Sequence, residues 1–270
     1  MMCISLMACT SEEQISVAKE DTTVTLSFEG IKFDMQPMGT RATIAESASR
    51  LDVWVYENGS EVEAVHQTSS DSGFGTVSLT LNNTKTYTLY AFAHKATEAC
   101  MLTDGIIAFP EDKPKECFFY TTIFSPATIT AINAEMQRVC GRFTMSTTDA
   151  IPDNVDHVQF IIRNTALRYG VDGDLSNITD RTVDFASISR KADGTCSFSF
   201  NILASDAVAD FEIMATAYAS DNSIIETKTF DAVPIRKNYR TTLTGAFFTT
   251  ESMSISFTCS DWIDYDVVTF

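Results

Sequence analysis

The sequence predicts an all-β protein made of two β-sandwiches in tandem, and three observations predict it. Apolar and polar residues alternate over short runs, the mark of half-buried strands. Turn signals separate these runs at short, regular intervals, and stretches of helical periodicity are few. The 270 residues are also enough for two sandwiches of roughly 100–130 residues each. The division expected is a remnant leader and polar tether over 1–21, an N-terminal sandwich over 22–125 and a C-terminal sandwich over 126–270.

Taken in order, residues 22–28 (TTVTLSF) alternate strictly, and 33–38 form a second extended piece, followed by a small polar loop at 39–43. Residues 51–56 (LDVWVY) are a strong strand, closed by an Asn58-Gly59 turn in which both residues tolerate positive φ. Residues 74–81 and 86–94, joined through Asn82-Asn83, read as a hairpin, and 95–104 as a short helix. Pro110, Asp112 and Pro114 mark a loop before an extended stretch at 117–122, and the first unit ends near Ser125-Pro126. A long strand is expected over 132–145, another over 155–163, then a Gly/Asp loop at 170–174. Asp193-Gly194 turns into a strand at 195–202, and 211–219 pairs with 224–230 across a Ser-Asp-Asn-Ser turn. Three runs, 240–248, 252–259 and 262–270, close the chain.

Composition excludes several functions. The net charge is −17; it repels phosphate backbones, so no nucleic-acid partner is expected. No apolar run reaches the length of a membrane-spanning helix. Only His66, His94 and His157 supply imidazole, far apart in the chain, and no GxSxG elbow, phosphate loop or dinucleotide fingerprint occurs. The sequence thus points away from an enzyme and implies no cofactor. Asp172, Asp174 and Asp180 offer carboxylates near one loop but lack the further ligands of a complete calcium loop, so a solvated acidic turn is the better reading. None of the seven cysteines stands in a CxxC pair or at metal-ligand spacing from a histidine, so no metal site is expected. With Cys3 removed and Cys9 modified, five remain, an odd number. A pair such as Cys100 with Cys117 is open to them, but buried thiols within strands are the simpler expectation.

The opening MMCISLMACTSEEQ carries the most specific local signal. Residues 1–8 are apolar, without Lys or Arg, and read as the tail of a secretory signal whose basic start lies upstream. Leu6-Met7-Ala8-Cys9 resembles a bacterial lipobox: a small residue for the peptidase pocket, then a cysteine whose thiolate forms the thioether to diacylglycerol. The acidic pair Glu12-Glu13 resembles the export signal of some Bacteroidales surface lipoproteins. Cys9 is therefore the expected lipidation site, and two or three acyl chains there would give stable anchoring.

The lipobox at Cys9, the LDVWVY strand with its Asn-Gly turn, and the AFAH end of 86–94 together resemble the first domain of Bacteroidales fimbrillins. Residues 135–143 (EMQRVCGRF) and 233–245 (VPIRKNYRTTLTG), with the Trp262 run, resemble the second. The nearest branch is that of the minor or anchor-type fimbrillin-like lipoproteins of type V fimbriae. The resemblance implies two transthyretin-like, Greek-key sandwiches, transport to the outer membrane and assembly with other fimbrial subunits by β-strand exchange. In that scheme a trypsin-like protease cuts at a loop arginine, releases the first strand and opens a groove for a neighbour's strand. Arg41 is the arginine placed for such a cut. A polymerising subunit needs cleavage there, whereas an anchor must keep Cys9 joined to the body. A glycan-binding surface lipoprotein of a nutrient-uptake system is the alternative, and aromatic residues clustered in exposed loops would favour it.

Overall fold

A computed structural model describes residues 21–32, 44–249 and 253–256. The strands are β1 (Asp21–Lys32), β2 (Arg50–Glu57), β3 (Ser60–Thr68), β4 (Thr76–Asn82), β5 (Tyr87–His94), β6 (Met101–Thr103), β7 (Ile106–Ala108), β8 (Cys117–Phe124), β9 (Ala131–Arg138) and β10 (Cys140–Thr147). They continue as β11 (His157–Gly170), β12 (Leu175–Phe185), β13 (Ser197–Leu203), β14 (Ala209–Tyr218), β15 (Ile224–Ile235), β16 (Arg240–Gly245) and β17 (Met253–Ser256). A single helical turn, α1 (Ile44–Ser47), precedes β2. The all-β expectation holds.

Among the described residues the strands form three sheets. The first runs β3-β2-β5-β8-β9-β1-β4, the second β13-β10-β16-β17, and the third β15-β14-β11-β7-β6, with β12 also paired to β11. All pairs are antiparallel except β1 with β9 and β10 with β16. The first sheet nearly breaks at β8–β9, which share only two paired positions. Its two parts enclose one core, with Val24, Leu26 and Phe28 of β1 clustered with Val53, Leu79, Leu89 and Phe118. A second core gathers Phe143, Phe160, Phe198, Phe200 and Phe247. A third, with Trp54, Phe92, Phe109, Phe119, Tyr169 and Leu203, joins strands of the first sheet to β11 and β13.

This third core explains β2. Leu51, Val53 and Val55 face the first core while Trp54 enters the third, so five consecutive positions are buried. Strand pairing also crosses the 125/126 position both ways: β9 lies in the first sheet, and β7, with β6 on its far side, pairs with β11.

Several local expectations are corrected. Residues 74–94 do not form a hairpin: β4 pairs with β1 at one edge of the sheet, while β5 lies between β2 and β8. The Asn82-Asn83 turn carries the chain from one part of the sheet to the other. Residues 95–104 are not helical; a loop leads into β6, held by the Cys100 amide on Asp52. The run 132–145 is two strands, since Val139 separates β9 from β10 and the chain changes sheets there. A Cβ at Gly141 would lie 2.6 Å from the Arg236 carbonyl oxygen and 2.7 Å from Ile235, so only glycine allows this approach. β3 and β12, both polar edge strands, were not expected. Cys100, Cys117, Cys140 and Cys196 are buried free thiols, so the Cys100–Cys117 pairing is not formed.

Candidate functional site

β1 is the strand that the expectation of strand exchange concerns. Its inward residues Val24, Leu26 and Phe28 are at most 1% exposed, and each such side chain stabilises the fold by roughly 2 kcal/mol through burial. Both edges are occupied. The strand pairs antiparallel with β4 from Asp21↔Asn82 to Ser27↔Thr76, and parallel with β9 through Thr25↔Ala131 and Leu26↔Ile132. Phe28 N–H donates to the Gly75 carbonyl at 2.8 Å and Thr25 N–H to Thr130 at 2.9 Å. Withdrawing this strand would open a groove with apolar sockets at alternate positions, flanked by two rows of unpaired backbone groups. Cys9, Arg41 and Trp262 lie outside the described residues.

A charged junction lies where the chain leaves β9. Glu116, buried just before β8, accepts from Lys95 Nζ at 2.7 Å and pairs with Arg138 and Arg142 at 3.1 Å each. Arg138 also donates to Asn238 Oδ1 at 2.8 Å and lies over the Phe118 ring, 5.0 Å from its centroid. Burial alone would raise the Glu116 pKa, but the Lys95 hydrogen bond and the two guanidinium charges outweigh it and hold it below the usual range. Arg181 donates to the carbonyls of Asn201 and Pro114, and burial lowers its pKa to about 10. EMQRVCGRF thus supplies two guanidinium groups and a close-packed glycine to one seam.

Asp52, His66, His94 and Cys100 form a second polar cluster. Asp52 Oδ1 is 2.8 Å from His66 Nδ1; Asp52 Oδ2 is 2.8 Å from His94 Nε2 and accepts from the Cys100 amide at 2.7 Å. Carboxylate, imidazole and thiol atoms lie within 4.8 Å of one another, donor types that a transition metal accepts. The hydrogen bonds oppose that role. His94 Nδ1 accepts from the Ala96 amide at 3.1 Å, so the network assigns the ring proton to Nε2, where it is donated to Asp52. Burial, followed by the Asp52 charge, pushes the Cys100 thiol far up, away from the thiolate a metal needs. The cluster reads as a satisfied buried network that pins the 95–100 loop to β2. Sequence spacing hides it, because its members come from β2, β3, β5 and a loop.

In the acidic loop, Asp172 caps its own turn by accepting from the Asp174 amide at 3.0 Å, and Asp180 pairs with Arg163 at 2.5 Å. No helix among the described residues is long and apolar enough to cross a membrane, which leaves membrane-spanning strands unaddressed.

Three sheets around three cores, crossed by buried ion pairs and hydrogen bonds that tie strands and loops together, define a β-sandwich protein. The chain belongs to the family of unknown function DUF6562, whose model matches residues 16–264. No curated protein matches it in sequence. Among solved structures it is similar to a candidate adhesin from Bacteroides ovatus, with a TM-score of 0.57 and 11% identity over 90% of this chain and 94% of that one. A candidate polysaccharide-binding protein from Bacteroides thetaiotaomicron gives 0.57 and 12%, covering 86% and 95%. The fimbrial anchor protein Mfa2 from Porphyromonas gingivalis gives 0.50 and 12%, covering 90% and 99%. At these identities the likeness is one of fold.

Proposed function

We propose that this chain is a cell-surface protein of the fimbrial and adhesin type: an outer-membrane lipoprotein, lipidated at Cys9, that anchors a type V fimbria or forms a minor part of it. Its two sandwiches, divided in sequence near residue 125 but trading β9 and β7 across that point, engage other fimbrial subunits through strand complementation, and its role is structural rather than catalytic. The observation that carries this reading is β1, whose buried side chains and two hydrogen-bonded edges are what a replacing strand would have to reproduce. The fold likeness to a fimbrial anchor protein over nearly the whole of both chains supports it, as does the lipobox at Cys9. Arg41, beyond the end of β1, is the proposed cleavage point should the chain act as a polymerising subunit.

Fractionation tests this directly. The protein is blotted in sheared fimbriae and in outer membranes, for wild type and Cys9→Ala. Membrane retention that depends on Cys9, with fimbriae shed by the variant, is the expected result. A fimbrial ladder shortened at Arg41 would make the chain a polymerised subunit instead. Retention and fimbriation both unchanged in Cys9→Ala would sink the proposal.

A further inference from the structure

Two tight turns face each other across a pair of tyrosines. The β2–β3 turn (Asn58 φ 50°, Gly59 φ 82°) and the β6–β7 turn (Asp104 φ 50°, Gly105 φ 75°) both use left-handed Xaa-Gly pairs, which keep hairpin tips short and fixed. Between them lies an open cleft of about 460 Å³ whose lining includes Tyr56, Glu61, Tyr90, Leu102, Asp104 and Gly105. The Tyr56 and Tyr90 rings are 5.6 Å apart at 70°, so one offers a face where the other offers an edge. Tyr90 stacks on Phe119 at 6.4 Å, and Phe119 meets Tyr169 at 5.3 Å, so the aromatic wall is backed by the third core. Glu61 accepts a long hydrogen bond from the Tyr56 hydroxyl, 3.4 Å. Both Glu61 and Asp104 are exposed, and neither has a cationic partner among the described residues. Burial and then the Glu61 charge raise the Tyr56 pKa, with a smaller contribution from Asp104, so both carboxylates act on the same ring.

We propose that this cleft binds an arginine side chain of a partner protein, its guanidinium against the tyrosine rings and its N–H groups shared between Glu61 and Asp104. Two uncompensated carboxylates beside two aromatic rings attract a cation. A planar guanidinium suits both a ring face and a carboxylate, whereas an ammonium is a compact, strongly hydrated charge. A neutral sugar could donate its hydroxyls to the carboxylates but would leave their charge uncompensated, whereas a cation neutralises it, and the chain's net −17 draws basic partners toward the surface. The cleft is separate in its residues from the β1 slot, so its failure would leave the proposed function untouched.

An NMR titration of the full ¹⁵N-labelled chain with the peptide Ac-Gly-Arg-Gly-NH2 tests the assignment. Saturable shifts are expected at the Gly59, Asp104 and Gly105 amides with a dissociation constant of about 1 mM, weakened about tenfold in Glu61→Gln/Asp104→Asn. Both substitutions are exposed and near-isosteric, and an otherwise unchanged spectrum verifies the fold. Ac-Gly-Lys-Gly-NH2 should bind more weakly, and Ac-Gly-Gln-Gly-NH2 and maltotriose should leave these amides unmoved. Absence of shifts with the arginine peptide, equal shifts with the lysine or glutamine peptide, unchanged affinity in the double variant, or a preference for maltotriose would each overturn it.

Discussion

Arg138 and Glu116 face each other at 3.1 Å with their side chains 4% and 5% exposed. Such a pair specifies geometry more than it adds net stability, but removing one partner strands a buried charge. Glu116→Gln should therefore destabilise the protein by about 3 kcal/mol in urea denaturation at pH 7. Because the folded pKa of Glu116 is depressed, its contribution is present above the ordinary carboxylate range and is lost as pH falls through the folded value. The gap between wild type and Glu116→Gln should thus narrow on acidification. A gap that stays constant down to pH 3 would contradict this account.

Asp52 accepts from the Cys100 amide and from His94, and is hydrogen-bonded to His66 as well. Asp52→Ala leaves buried donors without acceptors, and a loss of about 3 kcal/mol is expected. His66→Ala should cost less, because its ring is 39% exposed and Asp52 keeps its hydrogen bonds to His94 and the Cys100 amide. Thermal denaturation of the two variants checks the order.

Gly141→Ala should destabilise by about 2 kcal/mol, since overpacking against a backbone carbonyl cannot be relieved by a rotamer change. Gly59→Ala meets no neighbouring atom, so its cost should come from the left-handed backbone alone. Urea midpoints for the two variants separate packing from backbone strain.

The four described thiols should resist iodoacetamide at pH 8 in the native protein and react fully in guanidinium. Each is buried; burial raises the Cys196 pKa to about 11 and pushes Cys117 and Cys100 well up, while Cys140, held lower against its own burial by its hydrogen bond to Cys117 and the Arg138 charge, is shielded by that burial alone. Rapid native labelling at Cys196, read by mass spectrometry, would show that β13 opens locally.

The longer strands that bury one face were legible in the sequence; the polar edge strands β3 and β12 and the short β6 and β7 were not. LDVWVY and the β14–β15 hairpin announced themselves because their side chains enter cores and local turn chemistry closes them. β3 carries Glu61 and Glu63, and β12 carries Asp180, Arg181 and Asp184, charges that edge strands tolerate and that mask strand propensity. The 82–83 turn and the break at Val139 were misread for a different reason: local pattern cannot say which strand a strand will pair with. The same limit hid the Asp52 cluster and the Tyr56–Tyr90 cleft, whose residues converge only after β2, β3, β5 and the β6–β7 turn are assembled.

The parallel ladder between β1 and β9 also sets an order of events. Thr25 pairs with Ala131, so the first of the described strands waits for one made more than a hundred residues later. β4 is available much sooner, but it secures only one edge. Contacts this distant in sequence carry a high loop-closure cost and slow folding, so β1 docks fully late, after β9 has emerged. During synthesis, the socket for Val24, Leu26 and Phe28 is therefore among the last parts of the first core to fill.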